Sequence, residues 1–293
     1  MSNGAVGQVI HATYASGVPA VAWPARPRQD PVGGWAAGVS TPEQPVVHVE
    51  AVMGTMVSFR VHPGAQGRDR CREAIEEACE VLHTVDATFS LWRPDSPLSK
   101  LRRGDAALAE MPPEVAEVLD LCRHARDCSR GWFDPWSMPG GFDPTGLVKG
   151  WSLDRALEVL KRSGSTAALL NAGGDLVAFG SPAPGARWRI GVRHPWMADA
   201  LACVVRLDAA IATSGPYERG PHLIDPRTGR PAQTVASATV TGANLAMCDA
   251  LATALAVGGA DAFDAIAGLD GYEAYVIDAS GDEQATDAMA FLD

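Results

Sequence analysis

The chain has 293 residues, of which 47% are hydrophobic and 20% charged, a composition that builds a globular core and excludes a disordered, collagenous or coiled-coil polypeptide. Its 24 Lys and Arg against 35 Asp and Glu leave a net charge of −11. That balance excludes nucleic acid and anionic lipid surfaces as main partners, because either needs a positive face, but it is compatible with a metal cation.

Six cysteines without a C-x-x-C pair are too sparse for a disulfide scaffold. They read as reduced thiols of a cytoplasmic protein, although an even count leaves bridges open. Residues 1–45 carry only Arg26, Arg28, Asp30 and Glu43 as charges, and prolines from Pro19 to Pro45 interrupt any helix or strand period. The segment has neither the basic-then-apolar pattern of a secretory signal nor a membrane span. Its composition predicts a mobile or loosely packed extension, followed by one unit over 46–293.

The ordered pattern begins near Val46, where VVHVEAVMGTMVSFRV alternates as two strands broken at Gly54. Asp69 to Val85 places Cys71, Ala74, Ile75, Ala78, Leu82 and Val85 at helical spacing. A second helix follows Pro112-Pro113, with Val115, Leu119, Cys122 and Ala125 on one face and Gly131 beyond its end. A third runs from about Val148 to Ser163 and stops at Gly164. The period then changes. AALLNAGGDLVAFG, WRIGVRHP, LACVVRLDAAIATSG and VASATVTGA read as short strands, and Asn244 to Val257 returns to a helix. The expected fold class is α/β (α+β), a layered fold with a mixed or antiparallel sheet, because regular strand-helix alternation is missing.

Four segments carry chemistry. In LAMCDALATALAVGG, Asp249 and Thr253 are spaced i, i+4 and share one face of an otherwise apolar helix. They can serve a hard cation through a carboxylate and a hydroxyl, or Asp249 can pair with an arginine or face solvent. In FDPTGLVKGWSLDRA, Gly146 precedes the third helix and Lys149 falls in its first turn, an arrangement suited to a phosphate or to nothing more than a solvated lysine. In LLNAGGDLVAFG, Gly173 and Gly174 allow close backbone approach to a ligand beside Asp175, and a tight turn explains them equally well. In IATSGPYERGPHLIDPRTGRPA, His222 is a candidate general base or a structural histidine, while Asp225-Pro226 and Thr228-Gly229 read as a turn.

Taken in order, Met53-Gly54-Thr55, FSLWRPDSPLSKL, FDPTGLVKG, NAGGD, ATSGPYERGPHLIDPRTG and DALATA resemble the ApbE family of flavin transferases, from about Met53 to Gly258. The resemblance implies two lobes around a flavin-binding cleft. It also implies an enzyme that uses Mg²⁺, cleaves FAD and attaches FMN through a phosphoester bond to a Thr or Ser of an acceptor protein, releasing AMP. By the same match, Asp249 and Thr253 ligate Mg²⁺ together with a backbone carbonyl near Val148. Met53 and Trp92 pack against the isoalloxazine ring, with plain core packing as the other reading of Trp92. Asp143, Lys149, Gly173, Gly174 and Asp175 line the nucleotide pocket. Thr213, Ser214, Gly215 and His222 lie beside the reacting phosphate, with His222 as base.

Three departures from the family pattern stand out. Pro216 replaces an Asp or Asn, the stretch between Phe133 and Phe142 is short, and a lipidation cysteine is missing near the N-terminus. An FAD pyrophosphatase with water as acceptor, and a non-catalytic flavin-binding module, are the alternative functions.

Overall fold

The computed structural model describes residues 10–11, 44–216 and 223–293, so the extension expected at 1–45 lies almost wholly outside the described residues. The chain enters its main body through strands β2 (Val46–Val52) and β3 (Thr55–His62). Their turn holds Met53 at φ 53° and Gly54 at φ 68°, the paired left-handed conformation whose twist suits a two-residue hairpin. Glycine adopts this without penalty, whereas Met53 is held there at some cost.

Helix α1 (Gly67–Phe89) is longer at both ends than its apolar period predicts. Helix α2 (Pro97–Arg103) was not legible as a helix, although its signals are local. Ser96 Oγ accepts from the Ser99 amide at 3.0 Å, Pro97 opens the first turn and Gly104 closes the last in the left-handed region. Helix α3 (Pro113–Cys128) starts at the double proline as expected. Helix α4 (Thr145–Arg162) begins three residues earlier than the sequence indicates, which moves Gly146 inside the helix and Lys149 into its second turn.

Strands β4 (Ala167–Ala172), β5 (Asp175–Phe179), β6 (Trp188–Arg193), β7 (Leu201–Leu207), β8 (Ala210–Ser214) and β9 (Val235–Gly242) fall where the alternation places them. Helix α5 (Leu245–Gly258) is capped by Asn244, whose Oδ1 accepts from the Met247 amide at 3.0 Å. Helix α6 (Ala260–Ile266) and strands β10 (Glu273–Asp278), β11 (Glu283–Ala285) and β12 (Phe291–Leu292) complete the described chain.

Eight strands form one antiparallel sheet in the order β11-β10-β9-β8-β5-β4-β3-β2. A second sheet combines β6, β7 and β12 with β1 (Ile10–His11), which pairs parallel to β6 through Ile10 and Ile190. This pairing ties one point of the N-terminal segment to the body.

The centre of the large sheet is buried on both faces, and β4 shows why. Ala168, Leu170 and Ala172 point to the helices, while Ala167 and Leu169 point to the small sheet, as the two-residue period requires. The helix side is the larger core, where α1, α4 and α5 pack on the sheet with Leu153, Leu157, Leu160, Leu251 and Leu255 fully or almost fully buried. On the other face, Trp188, Ile190, Val205 and Leu207 of the small sheet cover Leu169 and Leu176. The body is therefore three layers with two apolar cores. Among the described residues, no helix is long and apolar enough to cross a membrane.

Candidate active site

Helix α5 is apolar all round because it is sandwiched between α4 and the sheet, so a carboxylate on it needs a built environment. Asp249 has one. It is only 4% exposed, its Oδ2 accepts from the Gly150 amide of α4 at 3.2 Å, and Lys149 Nζ lies 3.4 Å away. Asp175, 2% exposed at the start of β5, forms a direct ion pair with the same ammonium and accepts from the Thr213 amide at 3.0 Å. One lysine thus joins two buried carboxylates from two different elements. An isolated buried charge would cost several kcal/mol, so the three groups stand as a unit.

The close crossing of α4 and α5 makes this possible. Gly150 is buried, and a Cβ there would sit 2.4 Å from the Leu245 carbonyl oxygen. A glycine inside a helix is a sequence signal for close backbone approach. Asp154, one turn further along α4, accepts from the Leu245 amide at 3.0 Å and the Ala246 amide at 2.9 Å, thereby capping the first turn of α5. Burial pushes its carboxyl up to about 6, against the opposing pull of those two amides. Gly150 and Asp154 have no place among the sequence-derived candidates, and nothing in their local pattern marks Asp154 as a cap for a helix ninety residues away.

Around the three charged groups lies a cleft of about 220 Å³. Its polar end is lined by Asp143, Lys149, Gly173, Asp175, Thr213 and Ser214, with Gly215, Asp249 and Thr253 completing that side. Trp132, Phe133, Pro135, Met138, Leu223 and Ile224 contribute apolar surface to the same cleft. A larger groove of about 760 Å³ between α1, α3 and α4 carries none of the sequence-derived site residues. The smaller cleft is the better candidate because the charged and hydroxyl groups converge there.

Thr253 lies one helical turn beyond Asp249 in the same cleft, and a Cβ on Gly146 would come 3.3 Å from Thr253 Oγ1. That glycine keeps the space before the hydroxyl open. The Asp249 carboxylate and the Thr253 hydroxyl, which line one cleft, are oxygen donors of the kind a hard cation such as Mg²⁺ takes. Val148 has a buried side chain and does not line the cleft, so any ligation there rests with its carbonyl.

At the start of α4, where the sequence suggests an anion site, three backbone amides of the first turn have partners. Asp143 Oδ1 accepts from the Thr145 amide at 3.0 Å and from its hydroxyl at 2.7 Å, while the Leu147 and Val148 amides bond to the Pro144 carbonyl at 2.9 Å. These first-turn donors are already engaged, and Asp143 is the cap of the turn as well as a lining residue. Gly173 and Gly174 form the β4–β5 turn at φ 61° and 101°, and the Gly174 amide donates to Asn171 Oδ1 at 3.0 Å. Only Gly173 of the pair lines the cleft.

Met53 is half-buried, packs against the main core and accepts a contact from Ser152 Oγ at 3.5 Å, outside the cleft lining. Trp92 is 96% exposed, so its core-packing reading is wrong, and it does not line the cleft either. Asp225 organises a turn, accepting from the Arg227 amide at 2.8 Å and the Thr228 hydroxyl at 3.0 Å, as its sequence suggests. His222 lies outside the described residues.

Comparison with known proteins adds an independent line. The model of the ApbE family matches residues 53–141 and 138–276. The FAD:protein FMN transferase of Rhodobacter capsulatus is 33% identical over 246 residues, covering 77% of this chain and 44% of that protein. That of Vibrio cholerae serotype O1 is 33% identical over 136 residues, covering 43% and 41%. The chain thus spans less than half the length of these curated relatives. Among solved structures, the ApbE protein of Thermotoga maritima superposes with a TM-score of 0.73 at 22% identity, over 83% of this chain and 97% of that one. The flavin transferase ApbE of Vibrio cholerae gives 0.74 at 20% identity, over 84% and 98%. These two likenesses concern the fold.

Proposed function

Because this chain belongs to the ApbE family, we propose that it is an FAD:protein FMN transferase that uses Mg²⁺ and modifies a Thr or Ser hydroxyl of an acceptor protein. The observation that carries this reading is the convergence of Lys149, Asp175 and Asp249 with Thr253 in a cleft that aromatic and aliphatic side chains also line. A flavin dinucleotide has the same two kinds of surface, a flat apolar ring system joined to a pyrophosphate. In the reaction, the acceptor oxygen bonds to the phosphorus of the FMN half and the phosphoanhydride bond breaks. AMP leaves with the bridging oxygen, and the hydroxyl proton passes to a base.

The residues divide the work. Lys149, held by Asp175 and Asp249, offers an ammonium to the pyrophosphate, and the Thr213 amide fixes Asp175 in turn. Gly173 and Gly215 let backbone approach the ligand closely, and Thr213 and Ser214 place hydroxyls beside the reacting phosphate. Trp132, Phe133 and Leu223 exclude water from the cleft. Met53 and Trp92 are assigned to the isoalloxazine ring, and His222 to the base, on family resemblance. Asp249 and Thr253 would hold Mg²⁺, which when bound supplies neutralisation of charge developing on the phosphates. A cytoplasmic setting accords with six cysteines that are all free thiols.

Incubation of the full chain with FAD, Mg²⁺ and a candidate acceptor, read by in-gel flavin fluorescence and AMP release, tests the reading. A fluorescent acceptor band and AMP in equal amounts are expected. AMP and free FMN at the same rate with and without acceptor would assign a pyrophosphatase, and FAD binding without turnover would assign a binding module.

A further inference from the structure

A second cluster of ligand-bearing side chains lies at the edge of the large sheet, away from the cleft. On edge strand β2, His48 and Glu50 are two residues apart and so project to the same face, the one turned toward α1. On α1, Cys79 and His83 are four residues apart and share the helix face that meets them. Glu50 sits at the centre. Its Oε2 lies 3.1 Å from His48 Nε2 and its Oε1 lies 2.8 Å from His83 Nε2. One ligand atom each from His48, Glu50 and Cys79 lies within 4.8 Å of the others.

We propose that His48, Glu50 and Cys79, with His83 beside them, form a binding site for a divalent transition ion of the Zn²⁺ class, separate from the catalytic cleft. Bonds of about 2.0–2.3 Å to a central ion place tetrahedral ligand atoms roughly 3.3–3.8 Å apart, so His48, Glu50 and Cys79 close on an ion by side-chain movements of about 1 Å. A thiol, two imidazoles and one carboxylate are the ligand types that Zn²⁺ and Co²⁺ prefer, whereas Mg²⁺ favours oxygen alone. Cys79 is buried while His48, Glu50 and His83 are partly exposed, which provides both a dry ligand and a path of entry from solvent. Ligation converts the Cys79 thiol to a thiolate and releases its proton to solvent, and Glu50 remains a carboxylate throughout. None of the four residues lines the cleft.

The test uses the full chain stripped of metal with a chelator and titrated with Co²⁺. One equivalent is expected to bind with a thiolate-to-cobalt absorption in the near ultraviolet and visible bands of a four-coordinate ion. The near-ultraviolet band is expected to vanish in Cys79→Ser, and affinity to fall at least tenfold in His48→Gln. Zn²⁺ displaces the Co²⁺, and excess Mg²⁺ does not. Should Cys79→Ser fail to fold, alkylation of the unaltered chain followed by mass spectrometry decides the point, since Zn²⁺ must protect Cys79. Absence of binding, absence of protection, or a thiolate band that survives in Cys79→Ser but is lost in Cys128→Ser, where His124 Nε2 lies 3.6 Å from Cys128 Sγ, would overturn the proposal.

Discussion

Gly150→Ala is the most informative single substitution for the catalytic reading, because one added methyl group tests the helix crossing on which the charged trio depends. The new Cβ would lie 2.4 Å from the Leu245 carbonyl oxygen, 2.6 Å from its carbonyl carbon and 2.9 Å from the Ala246 nitrogen, against ordinary contacts of 3.4–4 Å. All three atoms are backbone, so no side chain can swing away, and α4 and α5 must separate by about 1 Å. Alanine gains about 0.5–1 kcal/mol over glycine in a helix interior, while overpacking costs about 1–3 kcal/mol, so the net effect is destabilisation of on the order of 1–2 kcal/mol. The larger effect falls on chemistry. Separation lengthens the 3.2 Å bond from the Gly150 amide to Asp249 and shifts Asp249 relative to Lys149, and a misplacement of about 1 Å can lower turnover by about 100-fold. Thermal unfolding and the rate of FMN transfer, measured on the same preparation, check both numbers. A variant with an unchanged melting temperature and a transfer rate within about twofold of the parent would refute the argument that this crossing positions the site.

Removing the Asp249 carboxylate in Asp249→Ala is expected to lower transfer by more than about 100-fold, beyond the 10–100-fold typical of residues that merely support a metal ligand, with chelator treatment of the unaltered protein giving the same loss. Retained activity in either assay would dissociate Asp249 from metal-assisted transfer. Between pH 3.8 and about 6, folded Asp154 keeps a proton that the unfolded chain has released. Stability should therefore fall as pH rises through that window, by at most about 3 kcal/mol, and denaturation of Asp154→Asn should lack this component. Coincident pH profiles for the two proteins would count against a half-buried, protonated cap. Because Trp92 is 96% exposed, Trp92→Ala should leave the melting temperature within about 1 °C while raising the KM for FAD several-fold if the ring stacks on flavin, and an unchanged KM removes it from the site.

Much of the architecture follows from patterns that act locally. The alternation of β2 and β3, the double proline before α3 and the Asn244 cap of α5 each contain their own explanation within a few residues. Where these local signals compete, boundaries move. Asp143 pulls the start of α4 forward by an Asx turn that satisfies Thr145, which places Lys149 a turn deeper than its distance from Gly146 suggests. Helix α2 was missed because the cap Ser96 and the stop Gly104 bracket only one short segment, too brief for a period to emerge.

The site divides in the same way. Asp249 and Thr253 stand out in sequence because two polar residues at helical spacing interrupt an apolar run, and the structure places both in the cleft. What the chain could not reveal by itself is that Lys149 reaches Asp175 and Asp249 at once, or that Gly150 and Asp154 hold the two helices together. Lys149 and Asp249 lie 100 positions apart and Asp154 and Leu245 lie 91 apart, and the energetics of a buried charge depend on partners brought in by folding rather than on neighbours in the chain. Sequence determined the residue types, the helix face and the family. Tertiary structure alone decided which groups neutralise each other, which first-turn amides of α4 already have partners, and that Trp92 is left in solvent, because burial and distance are properties of the folded chain.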